Sequence, residues 1–178
     1  MKIFLLFGII VFLFAQCAFA ANEKIDPKTY ICAEILAANT TGEPPLFEGL
    51  QIDGYVAQQT GGVVADPEIM EPILIKISDL CQAAPTDLVL NHWKKLRDDL
   101  PVASDGAWRA DKTTCGDYSA NEDDGSGFLI WADGWRRAKT GTDDSIFASQ
   151  EILDKFLAAC KKAPKKLVID VMTETLEK

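Results

Sequence analysis

The sequence predicts an all-α protein made of two tandem small helical domains, each stapled by one disulfide. Three observations predict it: a repeated segment, helical spacing of apolar residues, and an even number of cysteines after the N-terminal leader. The segment CQAAPTDLVL at 81–90 is matched by CKKAPKKLVI at 160–169. Each late cysteine has an upstream partner, Cys32 or Cys115, and such a pattern in both halves indicates a duplicated unit.

Two shorter motifs recur in the same order. An Asp-Gly-aromatic triplet lies between the cysteines of each half, at 53–55 and again at 133–135. Each early cysteine is followed at the second position by an acid, Glu34 or Asp117. These coincidences strengthen the interpretation of two copies.

The chain divides into four parts. Residues 1–20 are the leader, 26–98 the first domain, 99–107 a linker containing Pro, Ser and Gly, and 108–178 the second domain. Each domain has only about 70 residues, a size at which buried apolar surface alone gives marginal stability. A disulfide that closes a loop of about 50 residues adds about 4 kcal/mol in the loop-entropy description.

The leader has the features of a secretory signal peptide. Lys2 gives a positive start, residues 3–15 form an apolar run, and 18–20 is an A-x-A site, so we expect export and cleavage after Ala20. Two alternatives stay open: a lipoprotein modified at Cys17, and an uncleaved anchor. The apolar run is shorter than the roughly 20 residues that a membrane span needs.

Removal of the leader takes Cys17 away and leaves four cysteines. An even number in an exported chain is typical of disulfides, and four cysteines allow three connectivities. The repeat favours Cys32–Cys81 with Cys115–Cys160, because each copy then closes its own loop. Zinc is the alternative, but the sequence has no C-x-x-C and the spacing is wide, so we expect no metal.

Helical spacing is clearest before the late cysteines. Ile73, Leu74 and Ile77 lie on the same helical face as Cys81, and the equivalent positions before Cys160 are also apolar. Helix starts are expected at Asp66-Pro67 and Ser149, and the last helices are expected to begin at Pro85 and Pro164. The second helix of each copy is expected at 46–59 and 128–139, and a short segment after each early cysteine at 32–38 and 115–121. An extended piece is expected at 62–64.

These features resemble the HdeA/HdeB acid-stress chaperones of the bacterial periplasm. The resemblance rests on the signal peptide, the aromatic-x-Cys-x-acid motif at 30–34, the Gly-aromatic pair of the second helix, and the late cysteine. The tail ACKKAP at 159–164 is similar to the HdeB version. There are two departures, since the family is usually single-domain and Thr113 stands where the second copy would carry the aromatic residue.

The resemblance implies an ATP-independent periplasmic chaperone. Such a protein is folded and idle near neutral pH, exposes apolar surface in acid, keeps unfolding periplasmic clients soluble, and releases them on neutralisation. We expect no cofactor, and no membrane contact once the leader is removed. Tandem fusion leaves two assemblies open, a homodimer or a pseudo-dimer within one polypeptide.

The charge of the chain is compatible with activation by acid. The mature chain has 27 acidic residues against 17 Lys and Arg once Lys2 is removed, a formal charge of −10. Since carboxyls titrate near pH 4, protonation around pH 2, with His92 and the new amino terminus, gives about +19. Acidity alone is common among exported proteins. It also argues against nucleic-acid binding, which needs a basic footprint.

The apolar residues of the second helices are the candidates for client contact, although we expect most of them to be core at neutral pH. They are Leu46, Phe47, Leu50 and Tyr55 in the first copy, and Phe128, Leu129, Ile130, Trp131 and Trp135 in the second.

Enzymatic chemistry has little support in the sequence. His92 is the only histidine, and once the cysteines pair there is no free thiol, histidine pair or H-E-x-x-H. We therefore expect no catalytic residues. The alternative function is an exported protein-binding module, such as a periplasmic immunity or inhibitor protein, with one specific partner at neutral pH.

Overall fold

A computed structural model describes residues 25–39, 44–99 and 108–177. This part of the chain contains eight α-helices and one two-stranded sheet, which confirms the all-α prediction. The expected leader at 1–20 and nearly all of the expected linker at 99–107 lie outside the described residues.

Both halves have the same order of helices. The first half contains α1 (Cys32–Ala38), α2 (Leu46–Gln59), β1 (Val64–Ala65), a 3-10 turn (Pro67–Ile69), α3 (Met70–Ala83) and α4 (Val89–Asp98). The second half contains β2 (Trp108–Arg109), α5 (Cys115–Ala120), α6 (Glu122–Thr140), α7 (Gln150–Lys162) and α8 (Val168–Leu176). The bounds predicted for α1 and α2 are confirmed.

Helix α6 begins at Glu122 instead of the predicted Phe128. Three acids occupy its first turn, where carboxylates interact favourably with the helix dipole. Glycine is needed at position 125 because a Cβ there would lie 2.7 Å from the ring of Tyr118, too close without a shift. Close packing against α5 thus compensates for the low helix propensity of glycine.

The predicted start of the third helix is confirmed at Ser149 in the second half. In the first half, Asp66 begins a 3-10 turn and the α-helix itself starts at Met70. Ser149 Oγ accepts a hydrogen bond from the backbone N–H of Ile152 at 3.3 Å, and α7 follows directly. Asp66 Oδ1 accepts from the N–H of Glu68 at 3.0 Å, but it caps the 3-10 turn that precedes α3.

The prediction that Pro85 and Pro164 begin the last helices is wrong. Both prolines lie in turns, and the helices begin at Val89 and Val168. The backbone between proline and helix instead pairs with the segment before the early cysteine. The N–H of Val89 donates to the carbonyl of Tyr30 at 3.0 Å, and Val168 makes the equivalent bond.

The predicted disulfides, Cys32–Cys81 and Cys115–Cys160, are confirmed, with Cα separations of 4.8 and 5.1 Å. Each one joins the short first helix of its half to the third helix. In both halves the N–H of the early cysteine also donates, at 2.8 Å, to a carbonyl in the turn that follows the late cysteine. Two buried disulfides indicate an oxidising compartment.

The repeated acid after each early cysteine has a local structural role. Glu34 Oε2 accepts from the N–H of Ile31 at 2.8 Å, and Asp117 Oδ2 accepts from the N–H of Thr114 at 2.9 Å. Both acids lie in the first turn of their helices and fold back to cap the helix entry.

Two apolar cores form, one around each disulfide. The core of the second half also includes Ala57 and Ala65 of the first, and Leu50 packs against both cores. A small antiparallel sheet also joins the halves, with Val64 opposite Arg109 and Ala65 opposite Trp108. The predicted extended piece at 62–64 therefore ends in a paired strand. No helix in the described part of the chain is long and apolar enough to cross a bilayer.

The most extensive contact between elements of the described chain is that of α2 with α6, which we call the seam. A Cβ built on Gly54 would overlap the carbonyl of Trp131, 2.9 Å from its carbon, and one built on Gly134 would meet Gln51 in the same way at the same distance. Each glycine thus faces the residue three positions before the other, which is the contact pattern of a local pseudo-two-fold axis.

Substitution of Gly54 by Ala should destabilise the protein. The new methyl group would force the helices apart, and we expect a loss of at least about 2 kcal/mol in the free energy of unfolding. Gly127 on α6 is the matched control, since a Cβ there would lie 3.6 Å from Leu50. Gly127→Ala should be neutral or stabilising by up to about 1 kcal/mol. Urea unfolding followed by tryptophan fluorescence measures both, and equal stabilities would contradict the packing assigned to Gly54.

Candidate functional site

Two carboxylates are fully buried at the seam. Asp53 lies on α2 and Asp133 on α6, each directly before the glycine that faces the opposite helix. Buried carboxylates are costly unless hydrogen bonds and opposite charges satisfy them. Their partners therefore define the chemistry of the seam.

Asp53 receives three donors. The indole N–H of Trp93 in its own half donates to Oδ1 at 3.0 Å, and the indole N–H of Trp131 donates to Oδ2 at 2.9 Å across the seam. The guanidinium of Arg97, at the end of α4, forms an ion pair with Oδ1. All three partners are themselves buried.

Asp133 receives a different set of donors. The hydroxyl of Ser145 donates to Oδ2 at 2.7 Å and the N–H of Ile146 to Oδ1 at 3.1 Å, both from the loop between α6 and α7. Across the seam, the side-chain amide of Gln51 donates to Oδ2 at 3.4 Å. Gln51 and Trp131 occupy equivalent positions, and each donates to the aspartate of the other half.

Two further guanidinium groups lie beside Asp133. Arg136 donates to the hydroxyl of Thr142 at 3.3 Å and to the carbonyl of Asp144. Arg137 donates to the carbonyl of Ile25 at 2.6 Å and to Gln51 Oε1 at 3.3 Å. With Arg97, the seam region thus holds three buried guanidinium groups and two buried carboxyl groups.

Burial sets the direction in which these groups titrate. Burial raises the pKa of the Asp53 carboxyl, although Arg97, Trp93 and Trp131 oppose the shift. Burial likewise raises the pKa of the Asp133 carboxyl, against the bonds from Ser145 and Ile146. A carboxyl whose folded-state pKa lies above its unfolded value binds protons more tightly when folded. These two groups therefore favour the folded form more strongly as the pH falls.

The predicted client-contact residues differ in exposure. Tyr55, Phe128, Leu129 and Trp131 are buried, Phe47, Leu50, Ile130 and Trp135 are partly buried, and Leu46 is 48 % exposed. Four of the nine are thus core residues, and the prediction that most of them are core at neutral pH stays a prediction.

The structure brings several of these residues together near the seam. The ring of Phe128 stacks on Trp131, with centroids 6.2 Å apart. Phe47 of the first half makes an edge contact with Phe147 of the second at 5.4 Å. The indole N–H of Trp135 donates to the carbonyl of Gly62 in the first half at 2.8 Å. The candidates thus contribute to the junction between the halves as well as to the two cores.

The Asp-Gly-aromatic triplet marks the repeat in the sequence, but its role at the seam was not predicted. The available signal was an acid repeated at equivalent positions within an apolar stretch, such as Asp53 between Ile52 and Val56. Arg97 carries no comparable signal, because its ion pair joins residues far apart in the chain.

His92 and the acids of the described residues form no metal centre. His92 Nε2 lies 3.3 Å from a carboxylate oxygen of Asp87. Within the described ranges, no group of three or more His, Cys, Asp or Glu residues is arranged to hold a metal ion.

Comparison of the chain with known protein families, with curated proteins and with solved structures found no match. The likeness to the HdeA/HdeB chaperones therefore rests on the sequence motifs themselves.

Replacement of Asp133 by Asn tests the direction of its titration. The contribution of the raised carboxyl is fully present below its unfolded pKa, near pH 4, and is lost as the pH rises through the folded pKa. The deficit of Asp133→Asn in unfolding free energy, relative to the wild type, should therefore be larger at pH 4 than at pH 7. Urea unfolding at both pH values measures it.

Asp111 provides a control of opposite sign. Its hydrogen bond from Arg109 lowers the pKa of the Asp111 carboxyl, so its contribution is present above the unfolded pKa and is lost as the pH falls. Any loss in unfolding free energy caused by Asp111→Asn should be smaller at pH 4 than at pH 7. A deficit of Asp133→Asn that shrinks in the same way would contradict the raised pKa.

Proposed function

We propose that this protein is an ATP-independent chaperone of the bacterial periplasm that opens at the seam in acid and holds unfolding proteins soluble. The observation that carries the proposal is the position of the candidate client-contact residues. Several of them lie between two halves that each have their own disulfide and a core that contains it, with Ala57 and Ala65 of the first half packed into the second core. Separation of the halves exposes apolar surface without unfolding either half completely.

The seam is suited to reversible separation. One peptide segment connects the halves, and the noncovalent ties between them in the described chain include the α2–α6 contact, the short sheet, side-chain hydrogen bonds, an aromatic edge contact and an ion pair. Opening would free the indole rings of Trp131 and Trp135 together with Leu50, which touches both cores. Aromatic and aliphatic surface of this kind binds unfolded chains through the hydrophobic effect.

Charge reversal supplies the force that opens the seam. At neutral pH, residues 21–100 carry 6 basic and 13 acidic side chains, and residues 101–178 carry 11 and 14, for net charges of −7 and −3. In strong acid the first part has its 6 bases, His92 and the mature amino terminus, about +8, while the second has about +11. Two strongly cationic halves repel each other.

The seam aspartates set a threshold for opening. Because burial raises the pKa of both Asp53 and Asp133, their protonation favours the closed form as the pH falls. Repulsion has to exceed this contribution, so opening requires titration of the exposed carboxyls, near or below about pH 4. The protein thus stays closed through mild acidification.

An aggregation assay tests the function. The mature protein is mixed with an unrelated aggregation-prone enzyme at pH 2–3, light scattering is recorded, and enzyme activity is measured after neutralisation. We expect lower scattering and higher recovery than for the enzyme alone. Scattering equal to that of the enzyme alone in acid, or protection of a single protein at neutral pH only, would refute the proposal.

Seam variants link this activity to the structure. Opening is followed as binding of a fluorescent apolar dye while the pH is lowered. Gly54→Ala weakens the seam and should open at a higher pH than the wild type, whereas Gly127→Ala should open at the wild-type pH. Identical dye-binding profiles for all three proteins would show that the surface exposed in acid does not lie at the seam.

Salt separates repulsion from local titration. Raising the salt concentration from 0.1 to 1 M shortens the screening length from about 10 Å to about 3 Å. Opening driven by repulsion between the halves should therefore move to lower pH in high salt. A dye-binding transition at the same pH in both salts would contradict opening by charge repulsion.

A further inference from the structure

A groove lies on the first half, away from the seam, between α1, the residues before α2, and α3. Its volume is about 280 Å³. Apolar side chains form most of its walls, namely Ile35, Leu36, Pro44, Pro45, Leu74 and Ile75.

The duplicated half shows that this apolar surface is specific to the first. Ile75 is 58 % exposed, and the residue at the same distance before the late cysteine of the second half is Asp154. Leu80, 39 % exposed, likewise corresponds to Ala159. The exposed apolar side chain of Ile75 is thus replaced by an acid in the second copy, and that of Leu80 by the smaller alanine. Exposed large apolar side chains beside a groove are typical of a binding surface.

The rim of the groove is acidic. Glu71 and Asp79 line it from the exposed side of α3, and no basic residue is among the described residues that line it. The surrounding part of the chain, residues 21–100, carries the larger net negative charge. An occupant that combines an apolar anchor with positive charge would satisfy both features, while an anionic membrane surface would be repelled.

We propose that this groove docks a basic segment of another protein at neutral pH. An aliphatic or aromatic side chain of the segment would pack against Leu74 and Ile75, and Lys or Arg side chains beside it would lie near Glu71 and Asp79. A second copy of this chain fits less well, because two molecules with a charge of −10 repel each other. The docking uses the closed protein and is independent of acid-induced opening.

A pair of designed peptides tests the chemistry of the occupant. A fluorescein-labelled, helical 12-residue peptide of Leu and Lys is titrated with the mature protein at pH 7, and binding is read as fluorescence anisotropy. The matched peptide carries Glu in place of Lys. We expect the Leu–Lys peptide to bind at least about tenfold more tightly. Equal affinities would overturn the assignment of a basic partner.

Variants place the binding in the groove. Ile75→Asp installs the residue of the second half and should weaken Leu–Lys binding by about tenfold or more. The double variant Glu71→Gln with Asp79→Asn should weaken it by about threefold to tenfold. All three positions are exposed, so the fold should persist, and circular dichroism checks it.

A matched double variant controls for overall charge. Glu151→Gln with Asp154→Asn removes two carboxylates from the exposed side of α7, the equivalent helix, and should leave the affinity unchanged. Equal losses in the two double variants would show general charge attraction and overturn the proposal. Unchanged binding by Ile75→Asp, or sedimentation of the wild type as a dimer that Ile75→Asp makes monomeric, would overturn it as well.

Discussion

The backbone contact between α2 and α6 is the constraint on which the rest of the structure depends. Gly54 and Gly134 allow the two helices to approach without side chains between them. At this distance the residues three positions earlier, Gln51 and Trp131, reach the aspartate of the opposite helix. A larger residue at either glycine would move the donors away from their acceptors, so the packing and the buried polar contacts are coupled.

The two halves keep the same backbone contact and differ in how they satisfy the buried charge. Asp53 is neutralised directly by Arg97 from α4, whereas Asp133 relies on a hydroxyl and a backbone N–H of the following loop. Helix α8 offers no counterpart, because Leu176 occupies the position equivalent to Arg97. A close helix contact permits few changes, while the partners of a buried carboxylate can come from any adjacent element.

Local sequence signals predicted the helices, whereas contacts between distant residues, apart from the disulfides, were not predicted. Periodicity and capping residues gave the bounds of α2 and the start of α7, and the repeat gave the disulfide pairing, since these depend on neighbouring residues or on spacing. The early start of α6 was missed because Gly125 has low helix propensity, and only its contact with Tyr118 compensates. The seam was not predicted because its ion pair and hydrogen bonds join residues far apart in sequence.

Under the proposed function, the distribution of covalent and polar ties lets the halves separate and return along the same path. Each disulfide limits disorder to one half, so separation of the halves costs less conformational order than full unfolding. In the closed seam the indole of Trp131 reaches Asp53 while Gly54 packs against Trp131 and Gly134 against Gln51, so the hydrogen bond and the helix contact share one register. A buried carboxyl is costly without its partners, so a misaligned seam that left Asp53 or Asp133 buried and unpaired would be disfavoured. The two aspartates therefore select the register of the seam, and their protonation favours the closed form as the pH falls.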